Sequence, residues 1–484
     1  MLTRLEVDGF KNLLGFEVDF GPFTCIAGPN AVGKSNIFDA IEFLSALADH
    51  ALLEGPNLVR ATNKRVGDPR ELFWTDGGVR ARDMRFAVEM IVPDSVEDDF
   101  GRVAEPSTTY MRYELELGYE GPVGMDTQGR LVLRREQLAH ITRDEARTKL
   151  RFEHSAGKFR NAVLKGHPTG KHPFIWTETD ADGQVIIRVS QDKHGGRPSP
   201  FPAYNARATI ISSAATTEYP TILAARREMQ SWRRLALEPA AMREPDEFWA
   251  PKKVAPNGAN VAATLYSLAN YSGEGAEPDP DGVYAELANR MSALVPVRGV
   301  RVDRDDKREL LTIELEGSAG GFLPARALSD GMLRFLALAV LDIDPSVRGV
   351  LCMEEPENGI HPARLEAMVD LVCGLAIRAE EPPSALNPLR QIIVNTHSPG
   401  LVRFVHARNP GSLLIAKLVS MRGPFEKETR ALRLLSLSRT WRTEHSQDEG
   451  LGLADLIDYL SPSERHYENP PGAQLALLAQ EGEP

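Results

Sequence analysis

The segment Gly28-Pro-Asn-Ala-Val-Gly33-Lys34-Ser35 decides the fold class of this 484-residue chain. It matches the pattern G-x-x-x-x-G-K-[ST] and lies between an apolar stretch typical of a strand, 23–27, and an amphipathic helical pattern, 35–48. Glycines in such a loop let backbone N–H groups face phosphate oxygens, while the lysine reaches the β- and γ-oxygens and the serine ligates Mg²⁺. The segment therefore predicts an α/β fold with a nucleotide-binding loop, a P-loop.

Two other apolar segments, 350–353 and 392–394, also end on polar side chains. Glu354 and Glu355 follow the first segment; Glu354 can hold the ligand shell of Mg²⁺, and Glu355 can orient or deprotonate an attacking water. His397 follows the second segment and can hydrogen-bond a γ-phosphate or that water. Parallel strands present their carboxyl ends to one crevice, so we expect these side chains near the P-loop. The alternatives are a solvated acidic turn and a structural histidine.

Ser329 and Gly331, in the segment Leu328-Ser-Asp-Gly331, precede a helical pattern. Ser329 is well placed as the N-cap of that helix. A helix N-terminus with a hydroxyl group and a glycine is also a favourable anion site. The segment therefore predicts either a simple cap or a second phosphate contact.

The residues between these motifs alternate in a strand-like pattern and then become helical. The segments MRFAVEMIV, TYMRYELELGYE, GRLVLRREQL and GQVIIRVSQ, within 84–191, are typical of antiparallel strands. Helical patterns follow at 222–237 and 260–271, then a polar linker at 273–282 and a strand pair within 297–316. We divide the chain into two halves of one nucleotide-binding unit (1–95 and 301–420), a β-rich insertion (96–215), a helical lid segment (216–300) and a tail with a short helix (421–484).

The charge of the chain is segregated. Lys and Arg number 56 against 68 Asp and Glu, a net charge of −12 that opposes indiscriminate binding to a polyanion. The segment 130–171 instead carries eleven Lys/Arg and four Asp/Glu, a balance of +7. It predicts either a DNA or RNA contact or a solvated hairpin face. A second cluster, on a predicted helix, either binds nucleic acid or packs on acidic residues; it comprises Arg226, Arg227, Trp232, Arg233 and Arg234.

Composition limits the class of protein further. Hydrophobic residues make up 42% and charged residues 26%, as in globular proteins. No apolar run is long enough for a membrane helix, and the amino terminus lacks the apolar region of a signal peptide. With three cysteines in apolar contexts, we expect reduced thiols, a cytoplasmic location and no membrane contact.

Taken in order, these motifs resemble the ABC-type ATPase heads of the SMC, RecF and OLD group, and most closely the AAA-type ATP-binding proteins of bacterial anti-phage defence loci. The resemblance rests on LTRLEVDGFKNLLGFEVDF, SDGMLRFLAL, EEPENGIHP and VNTHSPG. It implies an α/β P-loop ABC-ATPase head, split by a β-rich and helical insertion, that works as a homodimer or higher oligomer with ATP and Mg²⁺ between its subunits.

The resemblance also implies roles for individual residues. The ATP-binding residues would be Gly28, Asn30, Gly33, Lys34, Ser35 and Asn36, together with Ser329 and Gly331, which would contact the γ-phosphate bound to the opposite subunit. Ser35 and Glu354 would serve the Mg²⁺, and Lys34, Glu355 and His397 would be catalytic. Lys11 lies where related heads place a basic residue near the phosphates.

The sequence departs from the group's pattern at several points. Glu354 stands where Asp is usual, the signature segment reads LSDGM, and the first glutamine after the P-loop helix is Gln128, within the β-rich region. The residues after His397 do not supply the acidic constellation of a TOPRIM nuclease domain. A nuclease or toxin would therefore be a separate effector partner.

Two functions remain open from the sequence. The first is an ATPase whose closure controls a nucleic-acid or effector partner in anti-phage defence. The second is an ATP-binding scaffold that sequesters a toxin or nuclease with little turnover. A transporter ATPase subunit is disfavoured by the missing glutamine and the large β-rich insertion.

Overall fold

The fold is given by a computed structural model, which describes residues 1–59, 68–122, 129–166, 172–192, 198–270, 278–317, 320–422, 428–444, 450–452, 455 and 456. The strands of this part are, in chain order, β1 (Leu2–Asp8), β2 (Phe16–Asp19), β3 (Phe23–Ala27), β4 (Thr75–Asp76), β5 (Val79–Arg80), β6 (Asp83–Ile91), β7 (Val96–Glu97), β8 (Val103–Ala104), β9 (Tyr110–Glu120), β10 (Arg130–His140), β11 (Ile175–Thr179), β12 (Val185–Val189), β13 (Ser199–Pro202), β14 (Arg233–Leu235), β15 (Asp246–Glu247), β16 (Val297–Asp305), β17 (Leu310–Gly317), β18 (Phe322–Pro324), β19 (Gly349–Glu354), β20 (Arg390–Thr396), β21 (Leu413–Arg422) and β22 (Glu428–Ser436).

The α-helices of the described part are α1 (Ser35–Leu47), α2 (Gly55–Leu58), α3 (Arg143–Lys149), α4 (Asn161–Val163), α5 (Ile210–Ser213), α6 (Pro220–Gln230), α7 (Pro239–Arg243), α8 (Val261–Asn270), α9 (Pro280–Ser292), α10 (Asp330–Ile343), α11 (Leu365–Gly374) and α12 (Pro399–Arg408). None of the helices described is long and apolar enough to cross a membrane.

A six-stranded sheet with the order β14-β19-β20-β3-β21-β22 carries the motifs. Its neighbours from β14 to β21 are parallel, and β22 pairs antiparallel with β21. The register places Thr396 beside Ala27 and Asn395 beside Glu354. The strands that precede the P-loop, the two acids and His397 are therefore adjacent and end at one edge, as the sequence predicted.

Both faces of this sheet are covered, which explains why its strands are continuous apolar runs. On β19, Val350 and Cys352 pack into the cluster that contains α1 and α6, whereas Leu351 and Met353 face the cluster around α10. The helical spacing of 35–48 is confirmed, because α1 buries Ile37 and its neighbours against the first cluster.

An eight-stranded sheet with the order β13-β12-β11-β10-β9-β6-β1-β2 lies across α1 and α6. Its successive pairings are antiparallel, so the strands predicted within 84–191 are confirmed. The β-rich segment is continuous with the first two strands of the chain, and it shares one hydrophobic core with the P-loop helix.

The predicted helix at 222–237 is wrong at its carboxyl end. Helix α6 ends at Gln230, and Arg233–Leu235 form the edge strand β14, parallel to β19 with Arg234 beside Cys352. Tertiary pairing with a buried strand overrides the local helical spacing. Strand β14 thus brings part of the predicted lid segment, and β22 part of the predicted tail, into the central sheet.

The opposite face of the sheet carries α8 to α10 and a smaller antiparallel sheet, β15-β17-β16 with β18 beside β17. The predicted helix at 260–271 and strand pair within 297–316 correspond to α8, β16 and β17. Residues 273–277 of the linker 273–282 and the short helix expected near the carboxyl terminus lie outside the described residues.

Candidate nucleotide-binding site

The P-loop connects the end of β3 with α1 through a strained turn. Ala31 and Gly33 adopt positive φ angles of 63° and 98°. A Cβ atom on Gly33 would lie 1.8 Å from Nδ2 of Asn12, so only glycine lets the backbone approach this closely. Asn12 fixes the turn by donating to the carbonyl of Val32 at 3.1 Å and by accepting from Asn36 Nδ2 at 2.7 Å. The sequence analysis placed Asn36 in the site but missed Asn12.

Lys34 lies within this loop and is buried. Its Nζ donates to the carbonyls of Gly28, at 2.7 Å, and Pro29, at 2.9 Å. Burial lowers the pKa of the Lys34 ammonium, and the nearby carboxylates of Glu355, Glu354 and Glu357 oppose that shift. Lys34 is therefore a desolvated cation that faces the acids of the neighbouring strand.

Glu354, at the end of β19, is held by a cation from β14. Its Oε1 lies 3.0 Å from Nη2 of Arg234 and accepts a longer bond, 3.4 Å, from Nδ2 of Asn395. Arg234 also pairs with the fully buried Asp39 of α1 at 3.1 Å and approaches Glu42 at 3.7 Å. The arginine thus orients the long Glu354 side chain, which stands where related heads have Asp.

Glu355 and His397 form a hydrogen-bonded pair beyond the strand ends. His397 Nδ1 lies 2.6 Å from Glu355 Oε1, and Asn358 donates to Glu355 Oε2 at 2.8 Å. Glu355 adopts a φ of 47°, a conformation that non-glycine residues avoid unless the surroundings impose it. Both side chains are partly exposed at the crevice. The structure therefore brings together Glu355 and His397, two of the three residues for which the resemblance implies catalytic roles.

Glu357 is a third acid in this turn that the sequence analysis did not single out. It is only 7% exposed, and its Oε1 accepts a hydrogen bond from the Thr396 hydroxyl. Burial raises the pKa of Glu357. Its signal in the sequence was the acid three residues after Glu354, but a solvated turn would give the same pattern.

The signature segment caps α10 as predicted, because Ser329 accepts a hydrogen bond from the Met332 N–H at 3.3 Å. The helix start packs on the turn after β19: a Cβ atom on Gly331 would lie 2.3 Å from the carbonyl oxygen of Gly359. Among the hydrogen bonds of the described residues, none joins Ser329 or Gly331 to the P-loop of the same chain.

Two cavities adjoin the P-loop and the acids. One, of about 990 Å³, is lined by Lys11, Asn12 and Asn36 and extends to Trp74 and Thr429. The second, of about 370 Å³, lies beside Glu354 and Glu355. Glu238, three residues after β14, lines the second cavity, whereas Gln128 lies outside the described residues.

The site fits a nucleotide with Mg²⁺. The loop glycines leave room only for backbone, Lys34 supplies a buried positive charge, and Ser35 and Glu354 offer the oxygen ligands that Mg²⁺ prefers. Within the described ranges, no group of three or more His, Cys, Asp or Glu side chains is arranged to hold a metal ion.

Lys11 and most of the described cations of the two basic clusters form ion pairs with acids of the same chain. Lys11 pairs with Asp39 at 2.7 Å. Of the second cluster, Arg226 and Arg227 lie on α6 and pair with acids, whereas Arg233 and Arg234 lie on β14, not on the predicted helix. In the segment 130–171, of which 167–171 lie outside the described residues, the cations paired with acids are Arg130, Arg134, Arg135, Arg147, Lys149, Arg151, Lys158 and Lys165. The nucleic-acid contact of this segment stays a prediction.

The P-loop after β3, the acids after β19, the histidine after β20 and the separate signature helix define the head of an ABC-type ATPase. Family models agree with this class. The model described as "AAA domain, putative AbiEii toxin, Type IV TA system" matches residues 218–403, and the model described as "AAA domain" matches residues 4–49.

Parts of the chain are also similar to curated proteins and solved structures. The chain is 32% identical over 121 residues to structural maintenance of chromosomes protein 1 of Schizosaccharomyces pombe, covering 24% of this chain and 8% of that protein. It is 36% identical over 84 residues to the DNA replication and repair protein RecF of Acaryochloris marina, covering 15% of this chain and 22% of that protein. An SMC head bound to the C-winged helix domain of ScpA is 14% identical, with a TM-score of 0.43, covering 90% of this chain and 98% of that one. The SMC head of Thermotoga maritima is 12% identical, with a TM-score of 0.36 and coverages of 90% and 99%.

The aligned segments thus span less than a quarter of the length of either curated relative. The family models and the curated relatives support an ATPase of the SMC and RecF type, as the resemblance of the motifs predicted.

Proposed function

We propose that this protein binds ATP with Mg²⁺ at the P-loop and hydrolyses it at an interface between two copies of the chain. The observation that carries the proposal is the meeting of Lys34, Glu354, Glu355 and His397 at one edge of three adjacent parallel strands. Phosphoryl transfer depends on positioning and charge stabilisation, and this edge concentrates the groups that supply both.

The nucleotide-binding roles follow from the geometry of the loop. Backbone N–H groups of the loop from Gly28 to Ser35, which includes Asn30, receive the phosphates, and Lys34 turns from the loop carbonyls to the β- and γ-oxygens. Ser35 and Glu354 hold the Mg²⁺, which supplies positive charge to the phosphate oxygens. The base and ribose extend into the cavity of about 990 Å³ beside Asn12 and Asn36.

Glu355 and His397 act on the attacking water. The carboxylate of Glu355 accepts a proton or hydrogen bond from the water, and its contacts with His397 and Asn358 fix its direction. His397 hydrogen-bonds the γ-phosphate. The strained backbone of Glu355 supports this role, because such strain clusters at active sites.

The second copy completes the site. Ser329 and Gly331 lie at the start of α10 and make no hydrogen bond to their own P-loop among the described residues. A helix N-terminus with a serine and a closely packed glycine suits the γ-phosphate bound by another copy. In a homodimer with two shared sites, the P-loop of each copy and the start of α10 of the other copy contact the same nucleotide.

We further propose that closure of this dimer controls an effector, either a nuclease or a toxin, in anti-phage defence. The family model named after a putative AbiEii toxin supports an association with toxin systems. The alternative is an ATP-binding scaffold that sequesters such a partner with little turnover. The ion pair between Glu354 and Arg234 favours this alternative, because it places a competing cation on the acid that would serve Mg²⁺.

ATP binding and turnover by the wild type, Glu355→Gln and Lys34→Ala test these proposals. We expect binding and turnover by the wild type, binding without turnover by Glu355→Gln, and neither by Lys34→Ala. Binding without turnover in both the wild type and Glu355→Gln would select the scaffold. Absence of binding by the wild type would reject both proposals.

A further inference from the structure

Glu357 is a buried carboxyl whose loss of hydration is not offset by hydrogen bonds to both of its oxygens. Its residue is 7% exposed, and among the described residues Oε2 has no hydrogen-bond partner. Oε1 accepts a single bond, from the hydroxyl of Thr396. Buried acids are expensive unless their oxygens are satisfied, so an unpartnered oxygen next to a reaction site calls for a functional explanation.

Thr396, the partner of Glu357, connects two parts of the nucleotide site. Its carbonyl oxygen accepts from the N–H of Gly28, the first P-loop residue, at 3.2 Å. Its hydroxyl accepts from the N–H of Ser398 at 2.9 Å, immediately after His397. Gly28 in turn accepts from Lys34 Nζ at 2.7 Å. A displacement of the Thr396 side chain therefore affects the P-loop and the segment that carries His397.

The turn that holds Glu357 also contacts the signature helix. Arg334 of α10 donates to the carbonyl of Asn358 at 2.5 Å, and the backbone of Gly331 packs against Gly359. The N–H of Ile360 donates to the carbonyl of Glu357 at 3.0 Å and closes the turn. Glu357 is thus a buried side chain that joins a turn in contact with α10 to a strand end that is hydrogen-bonded to the P-loop.

We propose that Glu357 is a positioning residue that couples the signature helix of a subunit to that subunit's own P-loop and His397 through Thr396. The inference rests on the proposed dimeric ATPase. When Ser329 of one subunit engages the γ-phosphate of its partner's nucleotide, α10 and the turn at 358–359 shift together, and the Glu357–Thr396 bond transmits the shift to that subunit's own site. The two ATP sites are therefore positively cooperative.

The test compares the dependence of turnover on ATP concentration for the wild type, Glu357→Gln, Glu357→Leu and Thr396→Val. The Gln variant keeps an oxygen that accepts from Thr396, whereas the other two remove the bond. Thr264→Val is the matched control, since Thr264 is similarly buried but lies on α8, and its hydroxyl donates to the carbonyl of Asn260, immediately before that helix. ATP binding by each variant is measured alongside, with Lys34→Ala as the reference for lost nucleotide binding.

We expect a Hill coefficient clearly above one for the wild type, Glu357→Gln and Thr264→Val, and close to one for Glu357→Leu and Thr396→Val. The latter two should lose about fivefold or more in turnover at saturating ATP, the lower range of typical site coupling, while their nucleotide binding remains. Cooperative turnover that survives in Glu357→Leu and Thr396→Val, or a noncooperative wild type, would overturn the inference and leave the ATPase standing. A wild type that neither binds nor hydrolyses ATP would overturn the ATPase itself, and the inference with it.

Discussion

Replacing Arg234 by Met should destabilise the protein and at the same time lower the Mg²⁺ concentration that half-saturates ATP turnover. The guanidinium lies between three acids: Asp39 at 3.1 Å, Glu354 at 3.0 Å and Glu42 at 3.7 Å. Met keeps most of the apolar stem and removes the charge. The two effects have opposite signs, so general damage to the fold cannot imitate them.

The loss of stability follows from the burial of each acid. Removing one partner of a buried ion pair costs about 3–5 kcal/mol, but fully buried Asp39 keeps Lys11 at 2.7 Å, so we expect about 2–3 kcal/mol for this pair. Glu354 and Glu42 are about one-third exposed, and each contributes about 0.5 kcal/mol. The sum is about 3–4 kcal/mol of unfolding free energy.

Urea unfolding of the nucleotide-free protein measures this loss, with Arg233→Met as the matched control. Arg233 is the preceding residue of the same strand, and its side chain forms no hydrogen bond or ion pair within the described ranges. Burial lowers the pKa of Arg233, which means that its charged form is already penalised in the fold. We expect Arg233→Met to be neutral or stabilising. Equal losses in the two variants would refute the proposed role of Arg234.

The Mg²⁺ dependence of turnover gives the second readout. Removing a positive charge next to Glu354 strengthens the attraction of that carboxylate for Mg²⁺ by about 1 kcal/mol, or about fivefold in the half-saturating concentration. An unchanged or higher Mg²⁺ requirement in Arg234→Met would show that Arg234 does not compete for the acid.

Two further outcomes can be checked on the same protein. Burial raises the pKa of Glu136 to about 7, so the folded chain retains a proton that the unfolded chain releases near pH 4.5; stability should fall by up to about 3 kcal/mol as the pH rises from 4.5 to 7.5. Urea unfolding should show a weaker decline for Glu136→Gln, and parallel curves would contradict the assignment. Gly331→Ala places a methyl group 2.3 Å from the carbonyl of Gly359, so it should cost about 1–3 kcal/mol and reduce turnover while ATP binding persists. Wild-type turnover in that variant would show that the contact between α10 and the turn is dispensable.

The parts of the site that the sequence predicted are those set by local chemistry. These parts are the P-loop pattern, the apolar strands followed by polar groups at Glu354 and His397, and the serine cap at Ser329. Each of them involves only residues that are close to one another in the sequence. Such features depend on hydrogen bonding and periodicity along the chain, and the parallel sheet then brings the strand ends together.

The parts that the sequence missed depend on pairing between distant segments. Arg234 looked like part of a helix, and only the pairing of β14 with β19 brings it to Glu354. Asn12 can meet the P-loop because Gly33 has no side chain, and a Cβ atom there would collide with the Asn12 amide. Glu357 could be distinguished from a solvated acid only once its burial against Thr396 was known. In each case the sequence shows the residue type but does not show which distant residue it contacts.

The central claim is that each ATP site is shared between two copies, and mixing two inactive variants tests it most directly. Lys34→Ala removes the P-loop cation, and Ser329→Arg blocks the signature helix. In an equal mixture, half of the dimers are mixed and each contains one intact site, so we expect two variants that are inactive alone to recover turnover, with about a quarter of the wild-type value as the upper bound for independent sites. Full activity of Ser329→Arg by itself, or no recovery in the mixture, would contradict a shared site.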